Sequence, residues 1–470
     1  MQGRTLSKIS DFSIAEQKFL YEKAKLLKQT FKSNENYGTE PQLPTSSVEE
    51  TKEQLRMKKR QKLSRDDRKC AYLIFMENST RTKESFRNAA GFHENLKIND
   101  FDCSTSSFAK GETITDCMKM LVGYSEGQTL FVIRSKLEGV CKWLEYEIGE
   151  RFCTLHDIPR ASFINAGDGK HEHPTQELLD EFTFLERADW NTESIHVALI
   201  GDLYHGRTAH SKADGLRVFT NVTVDLIAPP ELAMPEQYEK KMKENGFSVN
   251  KFQSLDEYLT SPKMVAKIWY FTRLQLERMS QQVQEKSKEL RKAVTFNPDH
   301  HLKFDCFKQL FEKNEMKFFH PLPRDSRHPV IPFSIDNTSL NGWDAQSRNG
   351  YFVRTILLGL LGGWFDQEEG LRKVLKTGFD GEKLQVCGPP AASSTSSSKI
   401  TATTATTPED SEKGAASNFV EILSCKNTNC ISYPENGQRE VLPWIVDGIC
   451  QYCDHVAVGS EEMKFVSRAQ

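Results

Sequence analysis

The chain has 470 residues, with 62 Lys and Arg against 65 Asp and Glu and a formal charge of −3. That length allows two or three domains with a sizeable core, and the balanced charge removes the global basic excess that nucleic acid or an anionic membrane would attract. The longest apolar run, Thr355 to Phe365, is broken by glycines and falls short of the roughly 20 residues of a membrane helix; the first residues lack the apolar core of a secretion signal, so the expectation is a cytoplasmic protein that binds neither nucleic acid nor membrane.

In chain order, Ser13-Ile14-Ala15-Glu16 reads as a capping box, and Ala15, Phe19, Leu20, Ala24 and Leu27 recur at helical spacing behind it. From about Ser33 to Lys69 the sequence turns polar and charged; its basic run Met57 to Lys62 is interspersed with Glu49, Glu50, Glu53, Asp66 and Asp67, which reads as a solvated, partly helical surface insertion. Short apolar runs then alternate with helical patterns as far as about Trp364: Tyr72–Met76, Thr129–Ile133, Ile195–Ile200, Val222–Ile227, Ala266–Tyr270 and Met316–Phe319. This alternation predicts an α/β fold with two doubly wound parallel-sheet domains, meeting near a helix over Thr175–Arg187. Ligands in such sheets bind beyond the carboxyl ends of strands, so the segments after these runs are where chemistry is expected. Residues 388–418 are dominated by Ser, Thr, Ala and Pro and read as a flexible linker.

The strand ending at Met76 runs into Glu77-Asn78-Ser79-Thr80-Arg81-Thr82 and then a helical pattern. Free N–H groups at a helix start, three hydroxyls and a guanidinium make an anion cradle. An ordinary helix cap with an exposed Arg would look the same, so this motif needs the rest of the chain. No Gly-x-x-x-x-Gly-Lys-Ser/Thr loop is present, so nucleoside triphosphate binding of that kind is not suggested.

Eleven cysteines is an odd count, and seven of them are scattered, which argues against a disulfide scaffold. The other four form Cys425-x4-Cys430 and Cys450-x2-Cys453, two close pairs with the spacing of a closed tetrahedral zinc site. Four protein ligands leave the metal no open position, so one structural Zn2+ per chain is expected, contributing to the folding of a small β-rich C-terminal module.

Further segments appear in a familiar order: Ser106-Ser107-Phe108-Ala109-Lys110-Gly111, Arg134, Asn165-Ala166-Gly167-Asp168-Gly169 leading to His173-Pro174-Thr175-Gln176, Gly206-Arg207-Thr208, Thr272-Arg273-Leu274-Gln275, and His320-Pro321-Leu322-Pro323-Arg324. With the Ser79–Thr82 cradle, this set resembles the aspartate and ornithine carbamoyltransferase family, over about residues 1–370. Ornithine members typically carry Ser-Met-Gly where this chain has Thr272-Arg273-Leu274-Gln275, and Cys where it has Pro321, so the match is to aspartate. Forked donors at Arg207 and Arg273 suit an amino diacid.

The resemblance implies transfer of the carbamoyl group of carbamoyl phosphate to the amine of L-aspartate, giving N-carbamoyl-L-aspartate and phosphate in de novo pyrimidine biosynthesis, without an organic cofactor. Carbamoyl phosphate is expected on Ser79, Thr80, Arg81, Thr82, Arg134, His173, Gln176, Pro321 and Leu322, with Thr82, Arg134, His173 and Lys110 serving the chemistry. Aspartate is expected on Lys110, Arg207, Arg273 and Gln275, and Arg278 and Arg324 are expected to support the substrate loops. Ser106 and Lys110 resemble a loop contributed by the adjacent chain, which implies a homotrimer with shared sites, possibly part of a larger assembly.

The implied organisation is a carbamoyl-phosphate-binding domain over 1–185 with the insertion at about 33–69, an aspartate-binding domain over 186–348, a helical segment 349–387 packing back on the first domain, the linker 388–418, and a zinc module over 419–470. The module, including Asn418–Ser424, resembles the zinc domain of the bacterial regulatory chain, with a somewhat shorter spacing between its cysteine pairs. The linker leaves no room for that chain's nucleotide-binding domain, so control by ATP or CTP through it is not expected. The rival readings are a carbamoyltransferase for another amino acid and a catalytically silent zinc-bearing scaffold.

Overall fold

The computed structural model describes residues 1–35, 69–93, 96–103, 105–125, 127–261, 265–363, 425–438, 441–446 and 448–456. Most of the charged insertion, the linker and Asn418–Ser424 lie outside the described residues. Two parallel sheets organise the chain, as the alternating pattern predicts. The first has the order β2-β1-β3-β4, from β1 (Lys69–Phe75), β2 (Leu96–Phe101), β3 (Gln128–Ser135) and β4 (Ser162–Asp168). The second has the order β7-β6-β5-β8-β9, from β5 (Ser194–Ile200), β6 (Asn221–Ile227), β7 (Ser248–Phe252), β8 (Ile268–Phe271) and β9 (Lys317–Phe319). Central strands buried on both faces read as near-continuous apolar runs, which is why β3, β5 and β8 are visible in the sequence.

The helix α1 (Ile14–Glu35) opens on the expected capping box: Ser13 N donates to Glu16 Oε2 at 2.8 Å and Glu16 N to Ser13 Oγ at 3.3 Å. α2 (Thr80–Gly91) follows β1 and α3 (Ile114–Ser125) precedes β3. α4 (Pro174–Arg187) leaves the first sheet for the second and is buried over nearly its whole length, including Glu177, Asp180 and Glu181. α5 (Arg207–His210) starts the helical turn after β5, and α6 (Trp343–Gly362) packs on α1, α2 and α4. Burial of α6 against three helices accounts for its apolar sequence; no helix among the described residues is long and apolar enough to cross a membrane.

Each sheet reverses its winding between two neighbouring strands, β1 and β3 in the first and β5 and β8 in the second. Crevices form beyond the carboxyl ends of strands at such points. The carboxyl ends of these four strands and the segments after them carry the Ser79–Thr82 motif, Arg134, Arg207 and Arg273.

Among the described residues of the C-terminal module, the regular structure is a 3-10 turn at Pro434–Asn436 and the hairpin of β10 (Ile445–Val446) and β11 (Ile449–Cys450). Its side chains join the core of the first sheet's domain. Cys425, Cys430, Ile431, Val441 and Tyr452 pack in one buried cluster with Phe131, Phe163, Val140 and Trp143.

Candidate active site

A cavity of about 820 Å³ opens between the two sheets, at both winding reversals. Its lining carries seven cations, Arg81, Arg134, Lys136, Arg207, Arg273, Arg278 and Arg354, against one carboxylate, Glu77. Converging guanidinium groups repel one another, and Glu77 offsets part of that repulsion here. Glu77 lies 3.6 Å from Arg134 Nε, 3.4 Å from Arg207 and 3.7 Å from Arg278. Burial, with Arg207 adjacent, pushes Arg134 down to about 9, and burial pushes Arg354 down to about 10. Arg134 Nε, Arg354 Nε, Ser85 Oγ and His320 Nε2 are buried without a hydrogen-bond partner among the described residues. Unsatisfied buried donors around a polar cavity are costly, and a dianionic ligand would satisfy them.

The anion cradle forms at the start of α2. Ser79 is the N-cap residue, yet its hydroxyl makes no capping hydrogen bond, so it remains available together with the first backbone N–H groups of the helix. Arg134 at the end of β3 donates to the Ala166 carbonyl at 3.0 Å, and Gly167, at φ +109°, lets it approach: a Cβ there would lie 2.9 Å from one guanidinium nitrogen of Arg134 and 3.0 Å from Arg207 Cζ.

His173 caps α4 and is held well below its usual range by burial and by Arg134 and Arg207, so it is neutral. Its Nδ1 sits 3.4 Å from Thr175 Oγ1. In the tautomer in which Nδ1 accepts from that hydroxyl, Nε2 carries the proton and His173 is a neutral donor. The Gln176 amide donates to Asp180 Oδ1 at 2.8 Å, which leaves its carbonyl free as an acceptor. The same Asp180 oxygen takes Gln346 Nε2 at 2.6 Å, and Gln346 Oε1 takes His320 N at 3.0 Å, so one buried carboxylate ties Gln176 to the Pro321–Leu322 loop. Leu322 holds φ +55°, stabilised by its N–H donating to His320 Nδ1 at 2.7 Å.

On the second sheet, buried Asp202 organises both substrate-side loops, accepting from His205 N at 3.0 Å and from Gln275 N at 3.1 Å. Arg207 donates to the Gly169 carbonyl at 2.8 Å. Arg273 pairs with Glu277. Gln275 donates from Nε2 to the His205 carbonyl at 2.9 Å, so its carbonyl oxygen is the freer end. An acceptor at that position suits an ammonium or amine.

Ser79, Thr80, Arg81, Thr82, Arg134, His173, Gln176, Arg207, Arg273, Gln275, Pro321 and Leu322 all line this one cavity. Ser106 and Lys110 do not: Ser106 donates to the Cys103 carbonyl at 2.9 Å in a turn beyond edge strand β2, and Lys110 is exposed. Arg278 reaches the lining, while Arg324 lies outside it, paired with Asp336 at 2.6 and 2.7 Å and stacked near Phe333 and Trp343. Sequence reasoning missed Glu77, Lys136, Gln346 and Arg354 as lining residues. Glu77 adjoins the cradle motif and was within reach; Arg354 sits inside an apolar helical run and gave no local signal.

Away from the cavity, the Sγ atoms of Cys425, Cys430, Cys450 and Cys453 all lie within 4.8 Å of one another and are buried, an arrangement able to hold a metal ion. Asp256, His300 and His301 also converge. There, His301 Nδ1 accepts Asn297 N at 3.2 Å, so the proton sits on Nε2 and no lone pair faces the group.

Two parallel sheets enclosing an arginine-lined anion cavity at facing winding reversals define a two-domain α/β protein built for small anionic ligands. Residues 4–186 match the family profile described as aspartate/ornithine carbamoyltransferase, carbamoyl-P binding domain. The chain is 52% identical over 363 residues to the protein PyrBI of Thermotoga maritima, covering 77% of this chain and 63% of that one. It is 32% identical to the aspartate carbamoyltransferase catalytic subunit of Methanobrevibacter smithii, over 62% of this chain and 81% of that one. Among solved structures, aspartate transcarbamoylase from Trypanosoma cruzi in complex with carbamoyl aspartate and phosphate is similar with a TM-score of 0.56 at 25% identity, over 76% of this chain and 95% of that one. The chain belongs to the aspartate/ornithine carbamoyltransferase family. It spans less than two thirds of the PyrBI relatives it matches.

Proposed function

We propose that the chain is an aspartate carbamoyltransferase. The aspartate amine attacks the carbonyl carbon of carbamoyl phosphate; the C–N bond forms, the C–O bond to phosphate breaks, and phosphate leaves with the amine proton. The observation that carries this reading is the cavity lined by seven cations and one carboxylate, with the neutral His173 in the same lining. The α2 start with Ser79, Thr80, Arg81 and Thr82 takes the phosphate. Arg134, Thr82 and His173 Nε2–H stabilise the carbonyl oxygen as it gains negative charge. The free carbonyl of Gln176 accepts from the carbamoyl amide beside the Pro321–Leu322 loop. Arg207 and Arg273 take the two aspartate carboxylates, and Gln275 steadies the amine. Orientation of two bound substrates supplies most of the acceleration, and no side-chain base is needed.

In this reading residues 1–185 bind carbamoyl phosphate, 186–348 bind aspartate and 349–387 return to the first domain, with the linker 388–418 and the module 419–470 beyond. Ser106 and Lys110 complete a neighbour's site in a homotrimer, which is supported by the exposure of Lys110 and by neither residue lining its own chain's cavity. The metal is zinc: a tetrahedron of thiolates at about 2.3 Å from Zn2+ has edges of about 3.8 Å, and Cys425–Cys453 and Cys430–Cys450 are 3.6 and 3.7 Å apart. Zinc there would be structural. Ten described cysteines form no disulfide, which fits a reducing, cytoplasmic setting; the proposed product, N-carbamoyl-L-aspartate, places the chain in pyrimidine biosynthesis.

The test is product formation from carbamoyl phosphate with L-aspartate and, in parallel, L-ornithine, for the wild-type chain and Arg273→Ala, alongside metal content. Turnover with aspartate, weakened in the variant, supports the reading. Turnover with another amine overturns the acceptor assignment, and no turnover with any amine would leave a zinc-bearing scaffold.

A further inference from the structure

The loop Asp168–Glu172, between β4 and α4, is gripped from two directions. The second domain holds one side: the Gly169 carbonyl accepts from Arg207 at 2.8 Å and from Arg278 at 3.4 Å, and the Lys170 carbonyl faces His210 Nδ1 at 2.8 Å. The C-terminal cysteine module holds the other through two short relays. In one, Asp454 meets His171 Nε2 at 3.1 Å while also accepting from Lys8 Nζ at 2.8 and 3.0 Å. His171 then passes the contact to Asp168 through Nδ1 at 3.1 Å, and Asp168 takes Gly139 N at 2.8 Å and Glu172 N at 3.0 Å. In the other relay, Asn427 donates to Glu138 Oε2 at 2.6 Å and Lys170 N donates to Glu138 Oε1 at 3.1 Å.

The module is seated firmly enough for these relays to matter. The backbone of Glu138 donates to the Asn429 carbonyl at 2.7 Å and accepts from Ile431 N at 2.9 Å, a strand-like pairing between the module and the segment after β3. Gly139 lies so close that a Cβ there would come within 2.5 Å of Tyr452. Detaching the module would strip both His171 and Glu138, each buried, of a partner. The loop would then be restrained from the second domain only.

We propose that the C-terminal cysteine module is a positioning element for the amino-acid half of the active site: through Asp454–His171 and Asn427–Glu138 it fixes the Gly169 carbonyl that orients the Arg207 guanidinium. A guanidinium already aimed by a carbonyl loses less freedom when it binds a carboxylate. His171 and Glu138 act through Arg207 and are positioning residues. Naming the amino-acid substrate rests on the proposed carbamoyltransferase reading; the mechanical link between module and loop does not.

The test uses the full chain with Asp454→Asn, Asn427→Ala and both together, with Asp454→Glu as the conservative variant. Zinc content and sedimentation confirm that the module stays folded. With the wild type turning over, the double variant is expected to raise KM for aspartate about five- to twentyfold, the lower part of the range for coupled sites. Its kcat and its KM for carbamoyl phosphate should stay within about twofold, and Asp454→Glu should recover part of the loss. Hydrogen exchange at the Gly169, Lys170 and Glu172 amides, read without substrate, should accelerate in the double variant while β5 and β6 keep their protection. Unchanged loop exchange overturns the proposal, as does accelerated exchange with an unchanged aspartate KM or an equal decline in both KM values and kcat. A wild type with no carbamoyltransferase turnover defeats the activity reading instead, and the exchange experiment then decides the mechanical link alone.

Discussion

Replacing Arg207 with Ala separates the amino-acid half of the site from the phosphate half. The guanidinium is mostly buried, 13% exposed, beside Glu77 at 3.4 Å and the Gly169 carbonyl at 2.8 Å, so it is held in one orientation before any ligand arrives. Loss of a fork to a carboxylate removes two charge-assisted hydrogen bonds at roughly 1.5–3 kcal/mol each. Part of that is returned, because Arg134, Arg278 and Glu77 relax once a neighbouring cation is gone, and Glu77 keeps two cationic neighbours at 3.6 and 3.7 Å. A net loss of about 3–4 kcal/mol corresponds to a fall of two to three orders of magnitude in kcat/KM for aspartate. Arg207→Lys should recover less than about tenfold, since an ammonium restores the charge without the fork. Steady-state kinetics with each substrate varied in turn, together with phosphate binding by calorimetry, measures both halves. A fall of less than fivefold, or an equal loss of phosphate affinity, refutes the assignment of Arg207 to the amino acid.

His173→Ala should lower kcat by about 10²–10³, the usual cost of one oxyanion donor; because burial beside Arg134 and Arg207 keeps the ring neutral, the wild-type pH profile should have no acid limb near 6.5 that disappears in His173→Gln. Burial raises the Glu172 carboxyl to about 7, so between about 4.5 and 7 the folded state binds more protons than the unfolded state and the stability contributed by this group falls as pH rises. Glu172→Gln should therefore gain on the wild type as pH increases from 5 to 7.5 in urea titrations, by on the order of 2 kcal/mol, and a constant difference across that range would contradict the shift. Treatment with a thiol reagent and chelator, to strip the proposed zinc, should abolish protection at Glu138 and Gly139, read by hydrogen exchange, while leaving the second sheet folded. Lys212→Met should destabilise the chain by about 3–5 kcal/mol in thermal and denaturant unfolding, because Glu177 and Asp180, at 2.5 and 3.0 Å from its ammonium and wholly buried, would lose their counter-charge.

Much of the site was legible because its chemistry is carried in short motifs that each end a strand. Ser79–Thr82, Arg207 and Arg273 follow strands at winding reversals and Arg134 sits at the end of one, so local sequence and the general rule for α/β crevices brought them to one cavity. The strands that escaped notice explain themselves physically. β4 reads Ser-Phe-Ile-Asn-Ala-Gly-Asp, poor in β-formers at its end, and is a strand because β3 on one side and Leu6 on the other pair with it. β2 and β7 are edges whose alternating polar residues face solvent and blur the apolar signal.

Residue identity determined the chemistry that was available: a phosphate cradle, forked donors for carboxylates, four thiols at metal spacing and the parallel α/β architecture. These follow from neighbours within a few positions, where propensity and spacing act directly. Tertiary structure alone decided the partnerships between distant residues. Glu77 gathers arginines 57, 130 and 201 positions further along the chain, Arg354 arrives from the middle of an apolar helix, and Asp454 meets His171 across 283 positions. No periodicity encodes such contacts, because they depend on how two sheets and a cysteine module pack, and the free energy of burying a charge is settled only by whatever packing places beside it.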